Sequence, residues 1–212
     1  MTQYSKSTIH HFPQQSCAVF QMPKLAILYP EIGGCLYVAQ LQAGTEGSVT
    51  LVRSVITGEL FVRKVSHISY SGERPQNHPE VQFSRDHLNL PRLIAAHHID
   101  GSPPSTVVLT QYANGGSLDQ FYVDNFSAPG KYFPECLVWR LLCGVLAAFH
   151  RIHLDRAMIS HRDIHPGNIM MRWSATDQTS LPTFLLGDLG GAECYDPRKH
   201  SVEEKRDELR RM

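Results

Sequence analysis

The eight residues His161-Arg162-Asp163-Ile164-His165-Pro166-Gly167-Asn168 constrain this chain more than any other stretch. They follow a long segment, 134–153, with apolar residues at Leu137, Val138, Leu141, Leu142, Val145, Leu146 and Phe149. That is the spacing of a buried helical face. Short apolar runs on either side, Met158 to Ser160 and Ile169 to Arg172, read as strands. An aspartate and an asparagine five apart, on a loop held by two strands, can face one cavity. The carboxylate could orient or accept the proton of an attacking hydroxyl, and the amide oxygen could bind a hard cation. Twenty-five residues beyond Asp163, the run Phe184 to Leu186 ends in Gly187-Asp188-Leu189-Gly190. A glycine-flanked turn lifts Asp188 out as a second candidate metal ligand.

The first half is written differently. Leu36 to Gln42, Ser48 to Val55 and Glu59 to Ser66 read as strands, and Ala43 to Gly47 and Thr57-Gly58 as the turns between them. Leu25 to Tyr29 is a further short strand in an otherwise irregular lead-in. A helix is expected from Pro79 to about Asn89, with proline where a first helical turn accepts it. Ser105 to Tyr112 reads as a strand and Ala113 to Ser117 as a turn. Strands first and a helix-dominated part second make the class α+β in two lobes.

In this order the segments resemble the protein kinase family, whose catalytic loop is H-R-D-x-x-x-x-N and whose metal-binding turn is D-F-G. Upstream, Leu41-Gln42-Ala43-Gly44-Thr45-Glu46-Gly47-Ser48-Val49 is similar to the family's L-G-x-G-x-x-G-x-V loop, with Gly44 and Gly47 kept and Gln42 replacing the first glycine. Phe61-Val62-Arg63-Lys64 resembles its V-A-I-K strand, which implies that Lys64 meets the α- and β-phosphates of ATP. Glu80 is then the acid expected to pair with Lys64, and Glu73 is its rival. Val107 to Leu118, with Gly115-Gly116-Ser117-Leu118, resembles the hinge. The resemblance implies adenine contacts at Gln111 C=O and Ala113 N–H, Thr110 behind the nucleotide, apolar cover from Val49 and Val62, and Ser117 at the edge of the ATP site. It further implies Mg²⁺ on Asn168 and Asp188, and Asp163 orienting the acceptor hydroxyl. Residues 36–112 would form a β-rich N-lobe, 113–212 an incomplete helical C-lobe, and 1–35 an irregular lead-in.

Three departures qualify the likeness. His165 stands where many serine/threonine kinases carry lysine, and protonated His could supply part of that charge. H-P-G-N also occurs in small-molecule kinases of the aminoglycoside and choline type. Leu189 replaces phenylalanine, and only 22 residues follow Gly190, with no A-P-E. A lobe cut there would expose the apolar face of 134–153, so a partner completing the lobe, or a nucleotide-holding module without turnover, is an alternative to a protein kinase. The charged stretch Ser201 to Met212 reads as a helix.

Charge and composition narrow the partners. Twenty basic and twenty acidic side chains give no net charge, which argues against a general nucleic-acid binder. The stretch Leu137 to Phe149, broken by Arg140, is expected to be too short to span a bilayer. Five scattered cysteines and a polar start favour free thiols in cytoplasm or nucleus over secretion. The twelve histidines include His150-x-x-His153 and His161-x-x-x-His165, spacings open to zinc but with no completing partner.

Overall fold

The computed structural model describes residues 28–29, 34–44, 47–67, 78–83, 86–100, 104–154, 159–177 and 180–194. Glu73, Thr45-Glu46 and the tail Ser201 to Met212 lie outside the described residues.

The first part is a six-stranded antiparallel sheet. Its strands are β1 (Leu28–Tyr29), β2 (Cys35–Gly44), β3 (Gly47–Ser54), β4 (Leu60–Ser66), β5 (Leu93–Ile99) and β6 (Ser105–Gln111), in the spatial order β1-β2-β3-β4-β6-β5. Period-two alternation gives each strand two faces. Cross-strand partners include Val49↔Lys64, Leu51↔Val62, Lys64↔Val108 and Val62↔Thr110. Val49, Val62, Lys64 and Thr110 therefore share one face. The opposite face carries Val52, Phe61, Val65, Val107 and Leu109, which pack with Cys35 into a buried cluster. One face is sealed by apolar side chains, and the other presents the lysine.

The β2–β3 hairpin closes with Gly44 opposite Gly47. Gly47 has φ +152, and a Cβ there would lie 1.9 Å from Val65 O. A glycine at this position is demanded by the backbone of β4, whatever the loop binds.

Helix α1 (Pro79–Gln82) is one turn, shorter than the expected 79–89; Phe83 caps it through its N–H on Pro79 O. The following chain is committed elsewhere. Asn89 O accepts from Leu186 N at 2.9 Å, and Asn89 Nδ2 donates to Phe184 O at 2.9 Å. Residues 87–90 form a turn instead, with Leu90 N donating to His87 O at 3.2 Å and Asn89 N to His87 Nδ1 at 3.2 Å.

The second part contains α2 (Leu118–Phe126), α3 (Glu135–Leu154), β7 (Ile159–Ser160), β8 (Ile169–Arg172), β9 (Thr183–Leu186) and β10 (Glu193–Cys194). β8 pairs with β9 and β7 with β10, both antiparallel. Leu137, Ala148 and Ile152 of α3 pack with Ile159, Met171, Phe184 and Leu186 in the main core. Gly144 lies close to β9; a Cβ there would sit 2.9 Å from Asn89 Nδ2 and 3.4 Å from Phe184 O, so the Asn89 side chain would have to shift.

The outer face of α3 is uncovered among the described residues, with Trp139 60% and Leu146 62% exposed beside Val138 and Leu142. The length argument against a membrane span does not hold. Glu135–His153 forms one continuous helix, long and apolar enough to cross a bilayer by length and composition. Here it packs into the core along one side.

Candidate active site

Three elements bring three charges together. β4 carries Lys64 on its open face, α1 carries Glu80 in its first turn, and the turn after β9 carries Asp188. Lys64 Nζ donates to Glu80 Oε1 at 2.7 Å and also to Asp188 Oδ1. Glu80 is the more deeply buried acid, its side chain 12% exposed against 40% for Asp188.

The electrostatics follow from burial and this pairing. Burial works against the Lys64 ammonium, but the carboxylates of Glu80 and Asp188 outweigh it and hold its pKa above the ordinary value. Burial lifts the Glu80 pKa above the usual carboxylate range even against the attraction of Lys64. Burial also opposes the Asp188 carboxylate, but Lys64 prevails and keeps its pKa low.

Asp188 adopts φ 56, ψ 69, a left-handed conformation that aspartate tolerates better than most residues. Its Oδ1 accepts from Gly190 N at 3.2 Å, which starts the short 3₁₀ turn Leu189–Gly191. A Cβ on Gly190 would sit 3.0 Å from Asp188 Oδ1 and 3.1 Å from Lys64 Nζ. The glycine keeps the charged cluster open.

The loop between β7 and β8 supplies the other polar groups. His161 is buried, and its Nε2 lies 2.9 Å from Gly187 O while Nδ1 accepts from Asp163 N at 3.4 Å. These bonds fix the Nε2–H tautomer and tie the loop to the residue before Asp188. Burial pushes the His161 pKa down, so the ring is neutral. Asn168 Nδ2 donates to Asp163 Oδ2 at 2.9 Å and to Asp163 O at 3.0 Å, and Gly187 N donates to Asn168 O at 2.8 Å. Asp163 and Asn168 are thus fixed to each other and to the Asp188 turn. His165 Nδ1 accepts from Gly167 N at 3.1 Å, and its Nε2 lies 3.7 Å from Asp163 Oδ2.

The remaining expected residues lie along the open face and its exit. Val49, Val62 and Thr110 flank Lys64 through the register. Gln111 N donates to Arg92 O, and Gln111 Oε1 accepts from Arg172 NH1 at 2.8 Å. Ala113 is buried, and its carbonyl accepts from Gly116 N. Ser117 has structural work: its hydroxyl accepts from Gln120 N and caps α2. Gly44 ends β2 at the hairpin.

Two features were missed in the sequence. His78, immediately before α1, is 5% exposed, and burial followed by the nearby Lys64 charge pushes its pKa down to about 4. Its Nδ1 is buried with no hydrogen-bond partner among the described residues. Arg162, at φ 66, pairs with Glu193 of β10 at 2.6 Å and joins the loop to the strand after the Asp188 turn. No signal in the linear text joins Arg162 to Glu193. Among the described residues there is no cluster of three or more His, Cys, Asp or Glu suited to a metal ion.

Residues 37–207 match the model of the protein kinase domain, and the chain belongs to that family of phosphotransferases. Among curated proteins it is similar to the inhibitor of nuclear factor kappa-B kinase subunit epsilon of Mus musculus, 32% identical over 163 residues, covering 74% of this chain and 21% of that protein. It is 29% identical over 135 residues to the probable serine/threonine-protein kinase mkcC of Dictyostelium discoideum, covering 62% of this chain and 14% of that one. Against the dual specificity mitogen-activated protein kinase kinase dSOR1 of Drosophila melanogaster it is 26% identical over 138 residues, covering 65% and 33%. The chain thus spans between 14% and 33% of the length of these relatives.

Proposed function

We propose that this chain is an ATP-dependent phosphotransferase that moves the γ-phosphate of Mg-ATP to a protein hydroxyl, serine or threonine rather than tyrosine. The observation that carries this reading is the Lys64–Glu80–Asp188 cluster, fixed beside the Asp163–Asn168 loop through Gly187. The serine/threonine choice leans on a relative of that printed name.

The residues present fit Mg²⁺ and a polyphosphate. Asp188 and Asn168 offer hard oxygen donors. The nitrogen end of Asn168 is committed to Asp163, so its oxygen is the end available to a cation. The space a Cβ on Gly190 would fill is kept open beside Asp188 and Lys64. Bound there, Mg²⁺ supplies neutralisation of phosphate charge.

The chain's own residues do the rest. Glu80 holds the Lys64 ammonium on the open face of the sheet, where it would meet the phosphates, and Val49, Val62 and Thr110 on the same face would give the base an apolar seat. The exit strand offers Gln111 C=O and Ala113 N–H to the adenine edge. Asp163 takes the hydrogen bond of the acceptor hydroxyl, whose oxygen attacks the γ-phosphorus as the bond to the β-γ bridging oxygen breaks. The hydroxyl proton passes to the Asp163 carboxylate, and ADP leaves. His165 has its Nδ1 tied to Gly167 N, so Nε2 is the end that meets incoming phosphate.

ADP release from Mg-ATP with a protein acceptor tests the reading. Asp163→Asn is expected to lower turnover by about 10²–10⁴-fold without loss of nucleotide binding; turnover equal to wild type would remove Asp163 from this role. A second reading, a nucleotide-holding module that does not turn over, draws on the uncovered face of α3 around Trp139 and Leu146. It predicts Mg-ATP binding with no ADP released over long incubation.

A further inference from the structure

The outer face of α3 carries an order that packing against the core does not use. Cys136, Trp139, Cys143, Leu146 and His150 are all exposed. Their spacing alternates three and four residues, which is the seam by which one helix packs along another. No Asp, Glu, Lys or Arg falls on this seam. Cys136 and Cys143 are both free thiols on it.

The chemistry along one edge of the seam says what covers it. From the first turn to the last this edge reads Glu135, Trp139, Leu142, Leu146 and His153. An acid stands in the first turn, and the last turn is basic. A second copy laid antiparallel brings like edges together, as two-fold symmetry requires. Reversed against itself, the edge sets Glu135 against the His153 of the other copy and Trp139 against its Leu146, each contact made twice, with Leu142 near the axis. The two helix dipoles then run in opposite directions, so each acidic start lies by a basic end. A parallel copy would set Glu135 against Glu135 instead. Trp139 is prepared for such a contact: its Nε1 donates to Glu135 Oε1 at 3.1 Å, which orients the indole on the helix surface before a partner arrives.

We propose that α3 is the interface of a symmetric homodimer, in which two copies of this chain pack antiparallel about an axis near Cys143. Cys136 and His150 end the seam, and Cys143 is its midpoint. Trp139 and Leu146 are the apolar anchors of the contact, and Glu135 with His153 sets its direction. One helix face from each copy makes a small interface, so association is reversible, with a Kd of about 1–100 μM. The proposal does not depend on the phosphotransfer reading.

Sedimentation equilibrium of the full chain from about 1 to 200 μM tests the association, and the mass is expected to rise from monomer towards dimer. Leu146→Glu is expected to weaken it by at least about 10-fold with no change in melting temperature, because the side chain is exposed. The wild-type chain tests the geometry without any substitution. A bismaleimide of about 8–10 Å span is expected to join Cys143 of one copy to Cys143 of the other, as read by mass spectrometry of the linked peptides. The same reagent is expected to leave Cys136 unjoined to its counterpart, since these two lie about 21 Å apart along antiparallel helices. A chain that stays monomeric throughout overturns the proposal, and so does a wild-type Kd in Leu146→Glu. Linkage at both Cys136 and Cys143 marks a parallel pair and overturns the antiparallel arrangement. A monomer whose α3 thiols resist the reagent has the face covered within one chain, and a monomer that sediments with phosphatidylcholine vesicles has it covered by lipid; either result overturns the dimer.

Discussion

The two polar groups of the site are built on opposite terms. Lys64 and Glu80 are sunk between a strand and a helical turn, with side-chain exposures of 25% and 12%. Asp163 and His165 stand in the open at 59% and 52%. The first group is part of the fold, since removing one member leaves a buried charge behind. The second is placed by the ties around it, His161 to Gly187 and Asn168 to the main chain and Oδ2 of Asp163, which leaves the other carboxylate oxygen of Asp163 for chemistry. Binding and reaction are divided between a buried cluster and an exposed loop.

Substitutions on the two sides should therefore separate stability from turnover. Lys64→Met should cost about 3–5 kcal/mol in urea unfolding, by stranding Glu80, and should abolish nucleotide binding. Asp163→Asn should change unfolding by less than about 1 kcal/mol while turnover collapses. If Lys64→Met left stability untouched, the buried cluster would not belong to the fold and the contrast would fail.

Gly47→Ala sharpens the same division from the hairpin. Its Cβ would sit 1.9 Å from Val65 O, so β3 and β4 must part beside Lys64. A loss of about 2–4 kcal/mol is expected in chemical denaturation. A neutral result would mean the hairpin relaxes independently of β4.

Acid probes the buried histidines of both sides. His78 has a folded pKa of about 4 against 6.5 unfolded, and that of His161 is also lowered by burial. The unfolded chain takes up these protons first as pH falls. The stability from the neutral rings is complete above pH 6.5 and is lost as pH drops towards 4, by up to about 3 kcal/mol for His78. Unfolding curves between pH 7 and 4 measure this. His78→Phe should flatten part of the slope, and an unchanged slope would assign it to other groups.

The smallest effect belongs to Arg162 and Glu193, whose side chains are 41% and 59% exposed. Glu193→Gln should cost less than about 1 kcal/mol, and salt should narrow its difference from wild type. A larger, salt-independent loss would move this pair to the buried side of the comparison.

Strong periodicity and tight motifs carried most of the legible structure. The 3.6-residue pattern of 134–153 became α3, and the strands around Lys64 fell within a residue or two of their places. β5 was missed because Ala95-Ala96-His97-His98 lacks β-branched residues; it forms by pairing along β6. α2 was not legible although Ser117 and Asp119 are start signals, because it runs for only nine residues directly after the Gly115-Gly116 turn. The 79–89 helix was overextended because propensity ignores that Asn89 is bonded to β9. In the site, the nearness of Lys64, Glu80 and Asp188 followed from motif order. His78 carried no local signal, since its isolation is a property of packing alone.

Asn89 has a mechanical consequence. It is bonded through main chain and side chain to β9, while three residues later Arg92 O holds Gln111 N at the end of β6. The chain between α1 and β5 thus tethers the sheet to the helical part at a second place, apart from the covalent link through Ala113 to Ser117. Besides the side-chain pairs Lys64–Asp188 and Gln111–Arg172, these two main-chain attachments define a line. Closure of the cleft that breaks the fewest bonds is a rotation about that line, as a door turns on two pins, and sideways shear of one part over the other is resisted.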